Sequence, residues 1–116
     1  MSTINAVSIP TFADKMNARA KALGLENTFF VNPHGLPSTT DKDPYSSARD
    51  LAAIAKAADK LPDLRKIVKL QNYKFAKPDG KSIDLANTNR VLRTASYCDG
   101  MKTGYTDAAG YCLVAT

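Results

Sequence analysis

The chain has 116 residues, a hydrophobic fraction of 44%, a charged fraction of 23% and a formal net charge of +5. These values are typical of globular proteins and exclude disordered and collagen-like classes, and the length fits one small domain or a piece of one. No run approaches the roughly 18 apolar residues of a membrane helix, and the first residues lack the basic and then apolar pattern of a signal peptide.

The 16 basic residues are scattered along the chain rather than gathered in a stripe with aromatic residues between them. Nucleic-acid binding needs such a stripe, so it is not expected. A modest positive field would still favour an anionic ligand such as a free carboxylate.

Residues 10–70 are predicted to be mainly helical, because apolar residues recur there at helical spacing after two capping boxes. The boxes are Thr11-x-x-Asp14, which opens a helix that ends at Gly24, and Ser47-x-x-Asp50, which opens a second helix. Pro62, at a permitted first position, begins a short third helix.

The segment Asn32-Pro33-His34-Gly35-Leu36-Pro37 lies between the first two helices, and its prolines and glycine predict a fixed, compact loop. His34 in this loop could be a general base. A lone histidine is more often a structural hydrogen-bonding residue, so the residues alone leave both roles open.

Residues 71–116 change to an alternating pattern that predicts antiparallel strands. A first hairpin is expected where Tyr73 and Phe75 alternate with Lys74, before the turn signal Lys77-Pro78-Asp79-Gly80 and a second alternating run, Ser82–Leu85.

A second hairpin is predicted, with arms at Tyr97–Thr106 and Tyr111–Val114 and a turn at Asp107–Gly110. Its first arm contains Lys102-Thr103-Gly104. Because a glycine inside a strand lets another chain approach the backbone, this arm could pair by strand addition with an extended peptide that ends in a carboxylate. Lys-Thr-Gly is also one of the signature elements of penicillin-recognising serine enzymes. Taken alone, it is as compatible with an ordinary exposed strand lysine.

Cys98 and Cys112 fall on the two arms of this hairpin. With the turn centred on residues 107 and 108, Cys112 would face about Thr103, so the cysteines are offset by several residues and a disulfide is not expected. With no Cys-x-x-Cys and a single histidine, we expect neither a metal site nor another cofactor.

Several motifs between about Phe12 and Thr116 together resemble the motifs of one known family. They are Met16-Asn17, Leu23-Gly24-Leu25, Thr28-x-Phe30, Asn32-Pro33-His34-Gly35-Leu36, Ser46-Ser47-Ala48-Arg49-Asp50-Leu51-Ala52, Asn87-Thr88-Asn89, Asp99-Gly100-Met101-Lys102-Thr103-Gly104-Tyr105-Thr106 and Ala109-Gly110-Tyr111. In this order they resemble the D-alanyl-D-alanine carboxypeptidases, the low-molecular-mass penicillin-binding proteins of the S11 peptidase type. The resemblance implies an α+β fold, with two to three helices followed by antiparallel strands, that forms part of a penicillin-binding (β-lactamase/transpeptidase-like) domain.

In such enzymes the serine of a Ser-x-x-Lys element attacks the carbonyl between two D-alanines, and an acyl-enzyme forms and is hydrolysed. The resemblance implies that the Lys102 ammonium supplies a positive field, that the Thr103 hydroxyl binds the terminal carboxylate, and that the backbone around Gly104 pairs with the substrate. Strict alternation would point Lys102 and Thr103 to opposite faces of the strand. From the family we also expect His34 and Asp50 to pair as a structural bond near the site.

The sequence departs from the family at the nucleophile, because it contains no Ser-x-x-Lys. The nearest match is Thr39-x-x-Lys42, and the family's Ser-x-Asn element is matched only in spacing, by Thr3-Ile4-Asn5. We therefore interpret residues 1–116 as a single partial domain, the C-terminal part of the catalytic domain, and expect it to be inactive alone.

Two main hypotheses follow. The first is a fragment or truncated member of the carboxypeptidase family, whose substrates are D-Ala-D-Ala-ended peptidoglycan peptides and whose inhibitors are β-lactams. The alternative is a non-catalytic binding or interaction module that retains the Lys102 strand, and a structural domain with a vestigial site is a third reading. The resemblance implies a periplasmic or cell-wall location. The sheet edges and apolar surface of a half-domain predict a homodimer or a swapped assembly.

Overall fold

The computed structural model describes residues 8–37 and 42–116. Those ranges contain α1 (Ile9–Ala22), α2 (Ala48–Ala58), α3 (Pro62–Val68), β1 (Asn72–Ala76), β2 (Ser82–Ala86), α4 (Val91–Thr94), β3 (Met101–Thr106) and β4 (Gly110–Ala115). The fold is α+β, as the sequence predicts. Contacts divide the chain into two units, Met1–Ile54 and Ala55–Thr116, and the division falls within α2. Thr3-x-Asn5, and Thr39 of the Thr39-x-x-Lys42 match, lie outside the described residues.

Helix α1 begins earlier than the sequence predicts. Its N-cap is Ser8, whose hydroxyl oxygen accepts a hydrogen bond from the Thr11 backbone N–H at 3.3 Å. The predicted start at Thr11 is wrong because Pro10 can occupy the first turn, where its missing N–H is no loss. The helix ends before Gly24, which adopts a φ of +73° that a side chain would disfavour.

The first unit is tied together by the side chain of Asn17 in the middle of α1. Its amide nitrogen donates to the Phe30 carbonyl and its amide oxygen accepts from the Phe30 N–H, both at 2.7 Å. Phe29 pairs in turn with Tyr45 in an isolated antiparallel bridge. This arrangement fixes the chain on both sides of the Pro-His-Gly loop.

Helices α2 and α3 start where the sequence predicts. The Ser47 hydroxyl accepts from the Asp50 N–H at 3.1 Å, which is the N-terminal half of a capping box. Pro62 is the first residue of α3, and Asp63 in the first turn complements the helix dipole.

The first hairpin joins β1 and β2 in the predicted place, with Tyr73 opposite Leu85 and Phe75 opposite Ile83. These four side chains share one face, and each is between 41 and 56% exposed. The turn closes through Gly80 at a φ of +79°. The hairpin therefore has one apolar face that the described residues leave open to solvent.

The second hairpin joins β3 and β4 in an uninterrupted register from Met101 opposite Ala115 to Thr106 opposite Gly110. Its first strand begins at Met101 rather than at the predicted Tyr97, because a turn ends at Tyr97 and residues 98–100 adopt no regular structure. The turn has three residues, 107–109, and Gly110, the first residue of β4, has a φ of +68°.

This three-residue turn moves the predicted pairing by one residue. Cys112 faces Gly104 and not Thr103. Cys112 is exposed, Cys98 is buried, and both thiols are free.

The four strands form two separate two-stranded sheets among the described residues. The buried apolar residues there are small or few: Ala13, Ala20, Ala55, Leu92 and Cys98. Larger apolar side chains remain exposed on the helices and hairpins. The second unit therefore presents the Lys-Thr-Gly strand on a hairpin with little buried apolar volume beneath it.

Candidate functional site

Strand β3 carries Lys102, Thr103 and Gly104 and has a strand partner on one edge. That partner is β4, and no other strand of the described residues pairs with β3. The opposite edge thus offers backbone N–H and C=O groups to an incoming extended chain.

Lys102 and Gly104 lie on the same face of β3, because the register has no bulge between them. The Lys102 side chain is exposed, and its ammonium donates a hydrogen bond to the Thr103 carbonyl oxygen. A Cβ atom built on Gly104 would meet nothing within 4 Å. The space beside the lysine is therefore open to a ligand.

Thr103 is half-buried and points to the other face of the strand. Its hydroxyl oxygen lies 2.6 Å from the hydroxyl oxygen of Thr88, a hydrogen bond between two side chains. Because Lys102 and Thr103 point to opposite faces, a single ligand can reach both only from the free edge of β3.

The turn at Asn87–Asn89 supports the start of β3. Asn89 is 2% exposed, and its amide nitrogen donates to the Gly100 carbonyl at 2.9 Å while its amide oxygen accepts from the Val91 N–H at 3.1 Å. The sequence motif Asn87-Thr88-Asn89 contributed to the family resemblance, but no role was predicted for it. A run of Asn and Thr between a strand and an apolar pair is a signal for such side-chain-to-backbone bonds.

Arg65 on α3 also supports the start of β3. The spacing of residues along the sequence did not reveal this role. Its guanidinium binds the Asp59 carboxylate at 2.7 Å and the Asp99 carboxylate at 2.5 Å. The three side chains are between 33 and 45% exposed, so the ion pairs contribute little to stability. They do connect α3 to Asp99, which lies two residues before the start of β3.

The net charge is concentrated in the part of the chain that contains β3. Residues 55–116 contain 11 basic and 6 acidic residues, whereas residues 1–54 contain five of each. The second unit therefore carries the whole net charge of +5, and its field favours anionic ligands.

His34 and Asp50 lie in the first unit, and the hydrogen bond expected between them is not formed in the structure. The Asp50 carboxylate accepts from the Thr28 hydroxyl at 2.7 Å and from the Asn27 N–H at 2.9 Å. His34 is exposed, and its Nδ1 accepts from the Leu36 N–H at 3.1 Å. The expected pair is wrong, because the His34 imidazole binds within its own loop while the Asp50 carboxylate binds residues 27 and 28.

The Pro-His-Gly loop is instead held by Asn32, a residue without a predicted role. Its amide oxygen accepts from the Gly35 N–H at 2.8 Å, and its amide nitrogen donates to the Leu36 carbonyl at 3.0 Å. Asn32 is buried, so these bonds satisfy polar groups that water does not reach.

The surroundings of Asp50 lower the pKa of its carboxyl group. The hydrogen bond from the Thr28 hydroxyl holds the pKa below its ordinary value of 3.8, and the Asn27 N–H, Ser47 and the charge of Arg49 act in the same direction. Burial acts against them by favouring the neutral acid. The carboxylate therefore serves as a charged acceptor that joins α2 to residues 27 and 28.

Among residues 8–37 and 42–116, no group of three or more His, Cys, Asp or Glu side chains is placed to hold a metal ion. No helix in these ranges is long and apolar enough to cross a membrane. A groove of about 460 Å³ lies in the second unit, but its lining includes Ile67, Leu70, Tyr73 and Leu85 rather than any residue of β3. The candidate site is thus an open strand edge.

Comparison with known proteins gives one family. The family model for D-alanyl-D-alanine carboxypeptidase, peptidase S11, matches residues 1–116. The chain is 43% identical over 105 residues to D-alanyl-D-alanine carboxypeptidase DacF of Bacillus subtilis, a match that covers 90% of this chain and 26% of that protein. It is 40% identical over 118 residues to DacA of Escherichia coli K12, covering 100% of this chain and 27% of that protein.

Solved structures show the same relationship. A D-alanyl-D-alanine carboxypeptidase from Mycobacterium tuberculosis matches with a TM-score of 0.78 and 32% identity, over 87% of this chain and 38% of that one. The DD-transpeptidase of Streptomyces K15 matches with a TM-score of 0.76 and 35% identity, over 90% of this chain and 41% of that one. The fold is therefore that of part of a DD-peptidase domain.

The present chain spans about a quarter of the length of these two curated relatives. The family match nevertheless extends over every residue of it, including the Lys-Thr-Gly strand and the turn that supports it. The chain belongs to the D-alanyl-D-alanine carboxypeptidase family, peptidase S11.

Proposed function

We propose that this chain supplies the substrate-binding strand of a serine-type D-Ala-D-Ala carboxypeptidase domain. In this proposal the free edge of β3 binds the end of a peptidoglycan stem peptide, or a β-lactam in its place. The observation that carries the proposal is the open edge itself, with Lys102, Thr103 and an unobstructed Gly104 next to one another.

Each of these residues has a distinct role in binding. The Lys102 ammonium attracts the terminal carboxylate, and the Thr103 hydroxyl donates a hydrogen bond to it. Gly104 has no side chain to hold the peptide backbone away from the strand. The positive charge of the second unit supports the same assignment.

Hydrolysis requires a group that this sequence does not contain. In the serine mechanism the nucleophile attacks the carbonyl between the two D-alanines, the terminal D-alanine leaves, and water then hydrolyses the acyl-enzyme. Because no Ser-x-x-Lys occurs in the 116 residues, we expect the chain by itself to bind without forming an acyl adduct. His34 and Asp50 have structural roles in this proposal.

The second candidate function is a non-catalytic binding module, and the same open β3 edge favours it. Both candidates share the ligand and the strand, and they differ in whether a serine nucleophile acts on the bound peptide. For either candidate we propose a location outside the cytoplasmic membrane, in the periplasm or the cell wall, and membership of the family supports this location.

The binding test is a titration of the 116-residue chain with a fluorescent peptide ending in D-Ala-D-Ala, followed by fluorescence anisotropy. We expect Lys102→Ala to weaken binding roughly tenfold, since a charge-assisted hydrogen bond is lost. The matched control is Lys74→Ala, which removes the same charge from β1 in the same unit. Equal affinities for the wild type and Lys102→Ala would refute the proposed strand.

The catalytic test is intact-protein mass spectrometry after incubation with a penicillin. The chain alone should show no adduct, whereas a mixture with a separately made family segment that carries Ser-x-x-Lys should show one on that segment. An adduct on the chain alone would overturn the predicted inactivity. Peptide binding without an adduct in the mixture would favour the binding module.

A further inference from the structure

The hydroxyl groups of Thr88 and Thr103 form a pair beside the proposed ligand-binding strand. Their oxygen atoms are 2.6 Å apart, within the usual range for an O–H···O hydrogen bond. Each hydroxyl has one proton to donate, so one of the two threonines is the donor and the other the acceptor.

The backbone of Thr88 is held in place by its two asparagine neighbours. Asn87 donates from its side chain to the Leu70 carbonyl at 2.9 Å, and its amide oxygen accepts from the Asn89 N–H at 2.9 Å. The side chain of Asn89 binds the Gly100 carbonyl, just before β3. The turn is therefore fixed to β3 independently of the Thr88 hydroxyl.

We propose that Thr88 is a positioning residue, whose hydroxyl donates to Thr103 Oγ1 and so directs the Thr103 proton toward the carboxylate of the ligand. This inference rests on the proposed function of the β3 strand. It assigns a specific role to a residue that touches Thr103 and does not itself need to touch the ligand.

The direction of the bond follows from counting protons. A carboxylate only accepts, so it needs the Thr103 proton. If Thr103 donated to Thr88 instead, no proton would remain for the ligand. In the order Thr88 to Thr103 to carboxylate, each proton has an acceptor, and successive hydrogen bonds in such a chain strengthen one another.

The surroundings of Thr103 favour an anionic ligand as the acceptor of its proton. The Lys102 ammonium donates to the Thr103 carbonyl, so a positive charge lies next to the same residue. That charge attracts the carboxylate to the strand, and the oriented hydroxyl then gives it a directed hydrogen bond. Thr88 itself is exposed, so its hydroxyl can contribute little to the stability of the fold.

The experiment compares two peptides that differ only at their last group, one ending in a D-Ala-D-Ala carboxylate and the other in the corresponding amide. Thr88→Val removes the hydroxyl and keeps the shape of the side chain, whereas Thr88→Ser keeps the hydroxyl. We expect Thr88→Val to weaken binding of the carboxylate peptide by about threefold to tenfold, the effect of one hydrogen bond. Thr88→Ser should bind within about twofold of the wild type.

The amide peptide provides the readout that a merely structural role would not produce. Thr88→Val should weaken binding of the amide peptide less than that of the carboxylate peptide, because a neutral amide carbonyl accepts a weaker hydrogen bond than a carboxylate does. A second measurement uses Thr103→Val as the background, in which Thr88→Val should have no further effect on the carboxylate peptide. Melting temperatures of the variants show that each one folds.

Three results would overturn the inference: an unchanged affinity of Thr88→Val for the carboxylate peptide, an equal loss for both peptides, or a loss that persists in the Thr103→Val background. In each case, a loss of wild-type binding on Lys102→Ala would leave the proposed function standing. If the wild type binds neither peptide, or binds without dependence on Lys102, the proposed function fails and the role of Thr88 fails with it.

Discussion

Asp50 shows how a single side chain can join distant parts of the first unit. Its N–H completes the Ser47 cap at the start of α2, while its carboxylate accepts from Thr28 and Asn27, more than 20 residues earlier in the chain. These bonds favour the ionised form and lower its pKa. The sequence identified Asp50 as a capping residue, but its long-range partners depend on how the chain folds back.

The lowered pKa of Asp50 makes part of the stability pH-dependent. A carboxyl group whose pKa is lower in the folded state stabilises the fold above its unfolded pKa, near 3.8, and this contribution is lost as the pH falls through the folded value. Thr28→Val removes the largest cause, so we expect the Asp50 pKa to rise toward 3.8. At pH 7 the melting temperature should fall by about 3 °C or more.

The measurement is an NMR titration of the Asp50 side-chain carboxyl carbon, together with melting curves between pH 7 and pH 2. Thr28→Ser, which keeps the donor, is the control. The difference in melting temperature between the wild type and Thr28→Val should narrow in acid, where Asp50 is protonated in both. A constant difference across the titration would show that the hydroxyl stabilises the fold without acting on the charge of Asp50.

At the scale of the element, β3 has two glycine environments of opposite kind. Gly100, just before the strand, is buried, and a Cβ atom there would lie 2.6 Å from Thr116 Oγ1 and 3.1 Å from Val68 Cγ2. Gly104, inside the strand, has open space on its side-chain side. One glycine allows close packing at the entry to the strand, and the other leaves room for a ligand.

Because of these two environments, the same substitution should affect stability at Gly100 and ligand binding at Gly104. Gly100→Ala should lower the free energy of unfolding by about 1–3 kcal/mol, because the methyl group overpacks the contact with Thr116 and Val68. Gly104→Ala should change it by less than about 0.5 kcal/mol and yet weaken binding of the D-Ala-ended peptide, since the methyl group enters the open space.

Urea denaturation and the anisotropy titration measure the two effects separately. The variants are each other's control, because both add one methyl group to the same segment. A Gly104→Ala chain that binds as tightly as the wild type would argue against close approach of the ligand at this position. A Gly100→Ala chain of unchanged stability would mean that Thr116 and Val68 move aside freely.

At the scale of the whole molecule, two properties of the surface are important for association. The net charge lies in residues 55–116, and the apolar face of the β1–β2 hairpin remains exposed. Exposed apolar faces and unpaired strand edges promote association. That the 116 residues form a dimer or a swapped assembly stays a prediction, as does their behaviour as a single partial domain.

Sedimentation velocity tests the association directly. We expect the wild type to associate as its concentration rises, and Phe75→Lys to reduce this by placing a charge in the apolar face. Ser82→Lys is the matched control, because residue 82 lies on β2 on the opposite face of the hairpin and gains the same charge. If both lysine variants reduce association to the same extent, charge repulsion is responsible for the reduction and the apolar face is not.

The amino-acid sequence by itself determined the α+β class, the three main helices, both hairpins and the family, because caps, turn residues and apolar spacing are local properties. It also located Lys102, Thr103 and Gly104 on a strand. It misplaced the start of α1 by overlooking Ser8, and it placed the pairing of Cys112 one residue off, because it centred the turn on residues 107 and 108 whereas the turn is centred on residue 108.

Only the tertiary structure decided which distant groups meet. It replaced the expected His34–Asp50 bond by bonds to Thr28 and Asn27, and it brought Thr88 to Thr103, which are 15 residues apart. Spacing along a chain indicates which residues can share a strand or a helix face. It does not indicate which donor reaches a given acceptor first, because that choice depends on how loops close and on which polar groups are removed from water.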